Sequence, residues 1–233
     1  MAWCERERVA ERMDDPDLAP EAHRAALRGL ARINAWSGVG RTMWRWLARA
    51  AASSPVRVLD VACGGGDLVC TWARRAAASG LAMEFAGCDR SPTAVATAQA
   101  SAADIGPRPP RFFVHDVLAD RLPERYDIVT CTLFLHHLGN DEAATVLERL
   151  RDAASQLVLV DDLRRTRLGY LLAWAGCRLL SRSPVVHYDG PVSVRAAFTC
   201  DEVRAMADRT GGADWTLHRH WPQRFLLVGR IAA

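Results

Sequence analysis

A short segment that combines glycines with acidic residues is the part of this sequence best suited to chemistry. Residues 56–68 read VRVLDVACGGGDL: an apolar run carries Asp60 near its end, passes through three glycines at 64–66 and meets Asp67. Glycines at such a turn allow the backbone to approach a ligand closely, and a strand that enters a helix through them opens a doubly wound sheet. We therefore expect residues 56–68 to bind a nucleotide-type cofactor.

The charges of this loop distinguish between cofactors. Asp60 and Asp67 would repel the pyrophosphate of NAD or FAD, and Val69 stands where the dinucleotide pattern G-x-G-x-x-G has its third glycine. Carboxylates instead suit the sulfonium, the ammonium and the ribose hydroxyls of S-adenosylmethionine. The loop thus favours S-adenosylmethionine, and a nicotinamide oxidoreductase is the disfavoured alternative.

Two further predicted strands carry acids at their ends. Residues 84–89 end at Asp89, which can accept hydrogen bonds from ribose hydroxyls, although NAD enzymes share this feature. Residues 111–117 contain Asp116, which could meet an adenine amino group. Helices are predicted between the strands: one ends at Gly80, and the next is capped by Ser91 and closed by Gly106.

Four segments resemble, in order and spacing, the motifs of the class I S-adenosylmethionine-dependent methyltransferases: residues 60–66, 88–92, 116–117 and 126–138. The resemblance runs from about residue 34 to the C-terminus. It implies an α/β fold with a Rossmann-like, doubly wound, seven-stranded sheet and an antiparallel C-terminal hairpin. It also implies that S-adenosylmethionine contacts Asp60, Ala62, Cys63, Gly64, Gly66, Asp89, Arg90, Asp116, Val117 and Cys131.

Histidines supply the candidate catalytic groups. His136 and His137 follow the predicted fourth strand, at the sheet edge where this fold places its substrate crevice. The pKa of an imidazole suits removal of a proton from a phenol, so His136 is the main candidate general base. His187 lies in a stretch similar to one in quinone-type methyltransferases and is the second candidate. Either histidine could instead only bind backbone or solvent.

The predicted layout has an N-terminal helical lid at residues 1–52 and a cofactor-binding core at 53–233, with a lid insert at about 164–198. Asp161 and Asp162 end the fifth strand and either orient the acceptor or cap the next helix. Further helices are predicted at 20–35, at 38–51 and at about 141–154, the last opened by Asn140 or Asp141. Another helix starts at a Thr199–Glu202 capping box. The remaining predicted strands are 156–161, 215–220 and 224–229.

Composition limits the partners, the metal content and the cellular compartment that we expect. The net charge is +3 and no basic stripe is concentrated, so nucleic acid is not an expected partner. Residues 168–180 are too short an apolar run to span a bilayer, and residues 1–17 are too charged for a signal peptide. The seven cysteines lack zinc-ligand spacing. We expect that no metal is bound, that the thiols are reduced and that the protein is cytoplasmic.

The expected reaction is methylation of a small hydrophobic acceptor, most directly O-methylation of a phenolic or polyketide-like compound. C-methylation of a quinone precursor is the first alternative, because an activated ring carbon needs less help from a base. A non-catalytic binding protein with the same fold is the second. The segment 164–182 combines arginines with large apolar residues and could face the acceptor, a membrane surface or the partner of a homodimer.

Overall fold

A seven-stranded sheet forms the centre of this computed structural model, which describes residues 3, 5–15, 17–52, 54–106 and 108–232. The strand order is β3-β2-β1-β4-β5-β7-β6; β1 to β5 run parallel, and β7 is antiparallel to both β5 and β6. This confirms the predicted doubly wound sheet and its C-terminal hairpin. The strands are β1 (Val56–Val61), β2 (Met83–Asp89), β3 (Arg111–Val114), β4 (Tyr126–Thr132), β5 (Ala154–Leu163), β6 (Ala213–His220) and β7 (Arg224–Ile231).

Eight α-helices are present in the described ranges, and helices cover both faces of the sheet. They are α1 (Pro20–Ser37), α2 (Val39–Ala50), α3 (Asp67–Ser79), α4 (Pro92–Ala102), α5 (Asn140–Ala153), α6 (Arg167–Leu180), α7 (Pro184–Ala196) and α8 (Cys200–Thr210). Side chains of α5 and α8 pack on one face of the sheet, and those of α2, α3 and α4 pack on the other. The interiors of the central strands are rich in buried apolar residues such as Val58, Leu59, Ile128 and Val129, as expected of parallel strands covered on both faces.

Several helices and strands begin or end at residues other than the predicted ones. The helix after β2 ends at Ala102, before Gly106, and β3 ends at Val114. Neither Asn140 nor Asp141 caps α5: its N-cap is Gly139, whose backbone N–H donates to the Glu142 carboxylate at 2.6 Å. This bond is the half of a capping box that Gly139 can form without a side chain.

The predicted lid segments all pack together. The helix pair predicted at 20–35 and 38–51 is present, with Gly38 in a left-handed conformation (φ 73°) between the two helices. The insert at 164–198 forms α6 and α7, and these pack on each other and on α1. No helix in the described ranges combines the length and apolar character needed to cross a bilayer.

An N-terminal strap, residues 5–15, crosses the ends of these helices. The Arg6 guanidinium donates to the carbonyl oxygens of Ala196 (2.6 Å) and Leu138 (2.7 Å). The Asp189 carboxylate accepts from the backbone N–H groups of residues 12 and 13. The strap was not predicted as a distinct element, and its hydrogen bonds place it over the C-terminal edge of the sheet.

Candidate functional site

A cavity of about 1100 Å³ opens at the C-terminal edge of the parallel strands. The glycine loop and the end of β2 form one wall, and the strap, α1, α6 and α7 form the others. Its apolar lining includes Leu30, Ile33, Leu172, Ala173, Leu180 and Val186. A cavity at this edge with a mostly apolar wall and a few polar groups is the usual form of a small-molecule site in an open α/β sheet.

The glycine loop reaches this cavity through Gly64 and Gly65. Gly64 has a φ of 53°, and a Cβ there would find only a Leu27 methyl group, at 3.7 Å. Gly66 (φ 71°) has a packing role, because a Cβ at that position would lie 2.8 Å from the side chains of Ala98 and Phe112. Its bare Cα lets α3 pack closely against α4 and β3.

Eight of the ten predicted cofactor residues line the cavity: Asp60, Ala62, Cys63, Gly64, Asp89, Arg90, Asp116 and Val117. The other two predicted residues, Gly66 and Cys131, are not in the cavity lining. Gly66 is not among the lining residues, since it packs beneath the loop. Cys131 is fully buried in the core formed by β4, β5 and α5 and also lies outside the lining.

Two carboxylates lie at the loop: Asp60 is buried and Asp67 is partly buried. Asp60 accepts a hydrogen bond from the Thr130 hydroxyl at 2.6 Å, and Asp67 accepts from the Asn34 amide at 3.3 Å. Burial raises the pKa of Asp60 to about 7 against the opposing Thr130 hydrogen bond, and burial also raises the pKa of Asp67. No ion pair among the described residues neutralises either group, so the loop is suited to a ligand that brings positive charge.

Asp89 and Asp116 occupy the neighbouring strand ends. Asp89 accepts from the backbone N–H groups of Gly64 and Ser91, each at 2.9 Å, which fixes its carboxylate beside the loop. Asp116 is exposed and accepts from the Leu118 N–H at 2.8 Å. These acids lie beside the glycine loop and fit a cationic nucleoside cofactor such as S-adenosylmethionine.

Unpaired polar atoms support that fit. Asn34 Oδ1, His115 Nε2 and Thr132 Oγ1 are buried without a protein hydrogen-bond partner, and all three residues belong to the cavity wall. Buried polar groups are almost always paired, so unpaired ones around a cavity indicate that a ligand or water completes them.

Glu11, His136 and His137, here called the Glu11–histidine cluster, lie elsewhere in the cavity wall. His136 Nδ1 is 2.7 Å from an Asp162 carboxylate oxygen, and His136 Nε2 is 3.5 Å from Glu11 Oε1. His137 Nδ1 is 3.1 Å from Asp14 Oδ2, and His137 Nε2 is 3.9 Å from Glu11 Oε2. Each imidazole thus has one nitrogen held by an aspartate and the other directed at Glu11.

The flanking carboxylates control the charge of His136. Burial by itself would lower the pKa of His136, but the carboxylates of Asp162 and Glu11 raise it to about 10. Burial would likewise raise the pKa of Glu11, and its contacts with the two histidines lower it. In this arrangement His136 is an imidazolium at neutral pH and donates from both nitrogens, which modifies its expected role as a general base.

The other predicted catalytic residue is not brought to the cavity. His187 lies in α7, its Nε2 is 2.7 Å from the Ser181 carbonyl oxygen, and it does not line the cavity wall. Asp161 binds Arg224 Nε at 2.6 Å, so it does not cap α6; Thr166 does.

Sequence reasoning missed Glu11, Asp14 and Asn34. The first two belong to a strap that shows only a high density of charge in the sequence, and Asn34 sits in a helix assigned to the lid. No spacing pattern relates residue 11 to residue 136. The contact exists because the strap and the end of β4 meet at the same edge of the sheet.

Comparison with known proteins agrees with this geometry. Residues 58–156 match the family model described as a methyltransferase domain. The ubiquinone biosynthesis O-methyltransferase of Pseudomonas putida (strain GB-1) is 29% identical over 137 residues, covering 58% of this chain and 56% of the relative. That of Paraburkholderia phytofirmans is 26% identical over 185 residues, 78% of this chain and 77% of the relative.

Solved structures share the fold. The magnesium protoporphyrin IX methyltransferase of Synechocystis PCC 6803 with bound SAH superposes with a TM-score of 0.61 at 18% identity, covering 95% of this chain and 92% of that one. The plantazolicin methyltransferase BpumL in complex with a triazolic desmethylPZN analog and SAH superposes with a TM-score of 0.61 at 12% identity, covering 92% of this chain and 88% of that one.

The sheet order, the glycine loop and its acids together define the methyltransferase fold. The fold is that of the class I S-adenosylmethionine-dependent methyltransferases, and residues 58–156 match a methyltransferase domain. The chain spans about half the length of the first of the curated relatives named above.

Proposed function

We propose that this chain transfers a methyl group from S-adenosylmethionine to a hydroxyl group of a small hydrophobic acceptor, phenolic or polyketide-like in character. The observation that carries the proposal is the placement of Glu11 and His136 in the wall of the same cavity as the acid-rich glycine loop, with Asp162 behind the His136 ring. The two curated relatives compared above are O-methyltransferases by name, which supports a hydroxyl acceptor.

In this proposal the loop acids hold the cofactor. Asp60 and Asp67 face its positive charges, Asp89 accepts from the ribose hydroxyls, and Asp116 accepts from the adenine amino group. The walls are completed by Ala62, Cys63, Gly64, Arg90 and Val117. When bound, the cofactor supplies an electrophilic methyl group on a sulfonium sulfur that departs as a neutral thioether.

The Glu11–histidine cluster prepares the acceptor. A phenol with a pKa of about 10 is mostly protonated at neutral pH, so a neighbouring positive charge and a proton acceptor both assist. His136, held by Asp162, supplies the positive charge that lowers the hydroxyl pKa, and the Glu11 carboxylate accepts the proton. Most of the remaining acceleration comes from alignment of the acceptor oxygen with the methyl group.

The test is turnover of a labelled methyl donor with a panel of phenols, resorcinols and quinols, followed by determination of the product's mass and methylation site. An O-methylated product supports the proposal. A C-methylated quinol overturns the choice of atom in favour of the alternative reaction. Tight binding of the cofactor with no turnover on any acceptor would instead indicate a binding protein.

The remaining expectations about partners and setting are proposals of the same kind. A homodimer is proposed through the exposed face of α6, where Leu171, Trp174 and Leu179 lie in contact with solvent. Light scattering at several protein concentrations tests it, and a constant monomer mass would reject it. A cytoplasmic location and the absence of a nucleic-acid partner stay predictions from composition.

A further inference from the structure

The Glu11–histidine cluster has the composition of a metal site. One carboxylate oxygen of Glu11 and one ring nitrogen from each of His136 and His137 all lie within 4.8 Å of one another. Two imidazoles and one carboxylate are ligands that Zn²⁺ and related divalent ions accept together, with further coordination positions left for a ligand from solvent or substrate.

The aspartates behind the imidazoles strengthen this interpretation. Asp162 holds His136 Nδ1 at 2.7 Å and Asp14 holds His137 Nδ1 at 3.1 Å. In metal sites the ligating histidine commonly binds a carboxylate through its other nitrogen, which fixes the ring and raises its basicity. Both histidines here have that arrangement, and both leave Nε2 directed at Glu11.

The charge of the surroundings is suited to a divalent cation. Three carboxylates (Glu11, Asp14 and Asp162) surround the two imidazoles, and the Arg90 guanidinium pairs with Asp14 at 3.0 Å. His136 and Asp162 are almost completely buried. A divalent ion bound to His136 Nε2 would displace the proton held there and pair directly with the Glu11 carboxylate.

We propose that Glu11, His136 and His137 bind a divalent transition-metal ion of the zinc type in the wall of the acceptor cavity. A tetrahedral ion with bonds of about 2.0–2.1 Å separates its ligand atoms by roughly 3.4 Å. The His136–Glu11 distance of 3.5 Å already meets this, and the His137–Glu11 distance of 3.9 Å requires a small movement of the strap or the His137 ring. If the proposed methyl transfer holds, the bound ion takes over from the protonated His136 ring the role of lowering the pKa of the acceptor hydroxyl, and the released proton passes to solvent because Glu11 is then a ligand.

The experiment uses the full chain after treatment with a chelator. Zn²⁺ is titrated calorimetrically, and Co²⁺ is added as a spectroscopic probe whose visible absorption reports nitrogen and oxygen ligands at low coordination number. We expect one Zn²⁺ per chain and a tetrahedral or five-coordinate Co²⁺ spectrum. Neither readout requires the cofactor or an acceptor, so it stands apart from the methyl-transfer assay, and SAH binding in the same sample tests the cofactor site separately.

Glu11→Gln keeps the volume of the side chain and removes a ligand charge; we expect it to weaken Zn²⁺ binding by about tenfold or more and to change the Co²⁺ spectrum. His137→Ala should do the same. The matched control is His218→Ala, an exposed histidine on β6 away from the cavity wall, which should leave the affinity unchanged. Absence of binding by the wild-type chain, or binding that both Glu11→Gln and His137→Ala leave intact, would overturn the proposal.

Discussion

The carboxylate of Asp162 holds His136 at two points. One oxygen lies 2.7 Å from the ring atom Nδ1, and the other accepts from the His136 backbone N–H at 3.1 Å. Asp162 lies near the end of β5, and His136 lies in a short 3-10 helix (Leu135–His137) after β4. This double contact fixes the ring so that Nε2 faces Glu11.

Replacement of His136 tests the proposed role of the cluster. We expect His136→Asn to lower kcat/KM by about 10²-fold or more, because the amide can hydrogen-bond to Asp162 but carries no positive charge. Steady-state kinetics with the best acceptor measures this. His187→Ala is the control, since His187 binds the Ser181 carbonyl oxygen outside the cavity wall. Equal activity of both variants and the wild type would remove His136 from the mechanism.

The buried Asp60 carboxylate opposes stability when it is ionised. Its pKa in the folded protein is raised to about 7 by burial, from an ordinary value of 3.8. As the pH rises from about 4 to about 7, Asp60 ionises more readily in the unfolded chain than in the folded protein. The free energy of unfolding therefore falls over this range, and the decrease is complete above it. We expect Asp60→Asn to increase the free energy of unfolding by a few kcal/mol at pH 8, on the order implied by such a shift, and to have little effect near pH 4.

The same substitution should weaken binding of the cofactor. Asp60→Asn removes a negative charge from the wall that faces the proposed ammonium and sulfonium, so we expect about a tenfold or greater loss of affinity for S-adenosylmethionine. Urea unfolding at several pH values and calorimetric titration check the two effects. If Asp60→Asn raised the free energy of unfolding less at pH 8 than at pH 4, the predicted direction of the pH effect would be wrong.

Gly66 and Gly80 form a matched pair for the packing of the glycine loop. Both have positive φ, 71° and 65°, but a Cβ at residue 66 meets Ala98 and Phe112 at 2.8 Å, whereas one at residue 80 meets nothing within 4 Å. We expect Gly66→Ala to cost about 2–4 kcal/mol of unfolding free energy and Gly80→Ala about 1 kcal/mol. Denaturant unfolding measures both, and similar losses would mean that backbone strain alone explains Gly66.

Arg6 anchors the strap that carries Glu11. Its guanidinium donates to the Ala196 and Leu138 carbonyl oxygens and lies 3.6 Å from the centre of the Phe198 ring. We expect Arg6→Ala to speed proteolytic cleavage within residues 5–15 and to raise the acceptor KM several-fold, because these contacts hold the strap over the cavity.

The control for Arg6 is Arg24→Ala, which removes only a pair with Glu21 on the exposed side of α1. That variant should behave like the wild type in both assays. Unchanged cleavage of the strap in Arg6→Ala would show that its other contacts, such as those with Asp189, are sufficient.

Local sequence patterns predicted most of the strands, helices and caps that surround the glycine loop. The order of strands and helices, the Thr199–Glu202 capping box, the Ser91 cap and the acids at the ends of β1 and β2 follow from signals within a few residues of each other. They were predictable because turns, caps and apolar runs depend on neighbouring residues. Gly66 and Cys131 lie outside the cavity lining, which a motif could not predict because it gives positions along the chain and does not say which side of the loop or strand faces the cavity.

The sequence by itself determined the fold class and the acidic, glycine-rich loop, since both are written in contiguous segments. Only the tertiary structure decided the charge of His136 and the Glu11–histidine cluster. Glu11, His136 and Asp162 come from the strap, the segment after β4 and the end of β5, and they meet because all three converge on the C-terminal edge of the sheet. The pKa of a buried imidazole depends on such neighbours in space, which the order of residues does not reveal.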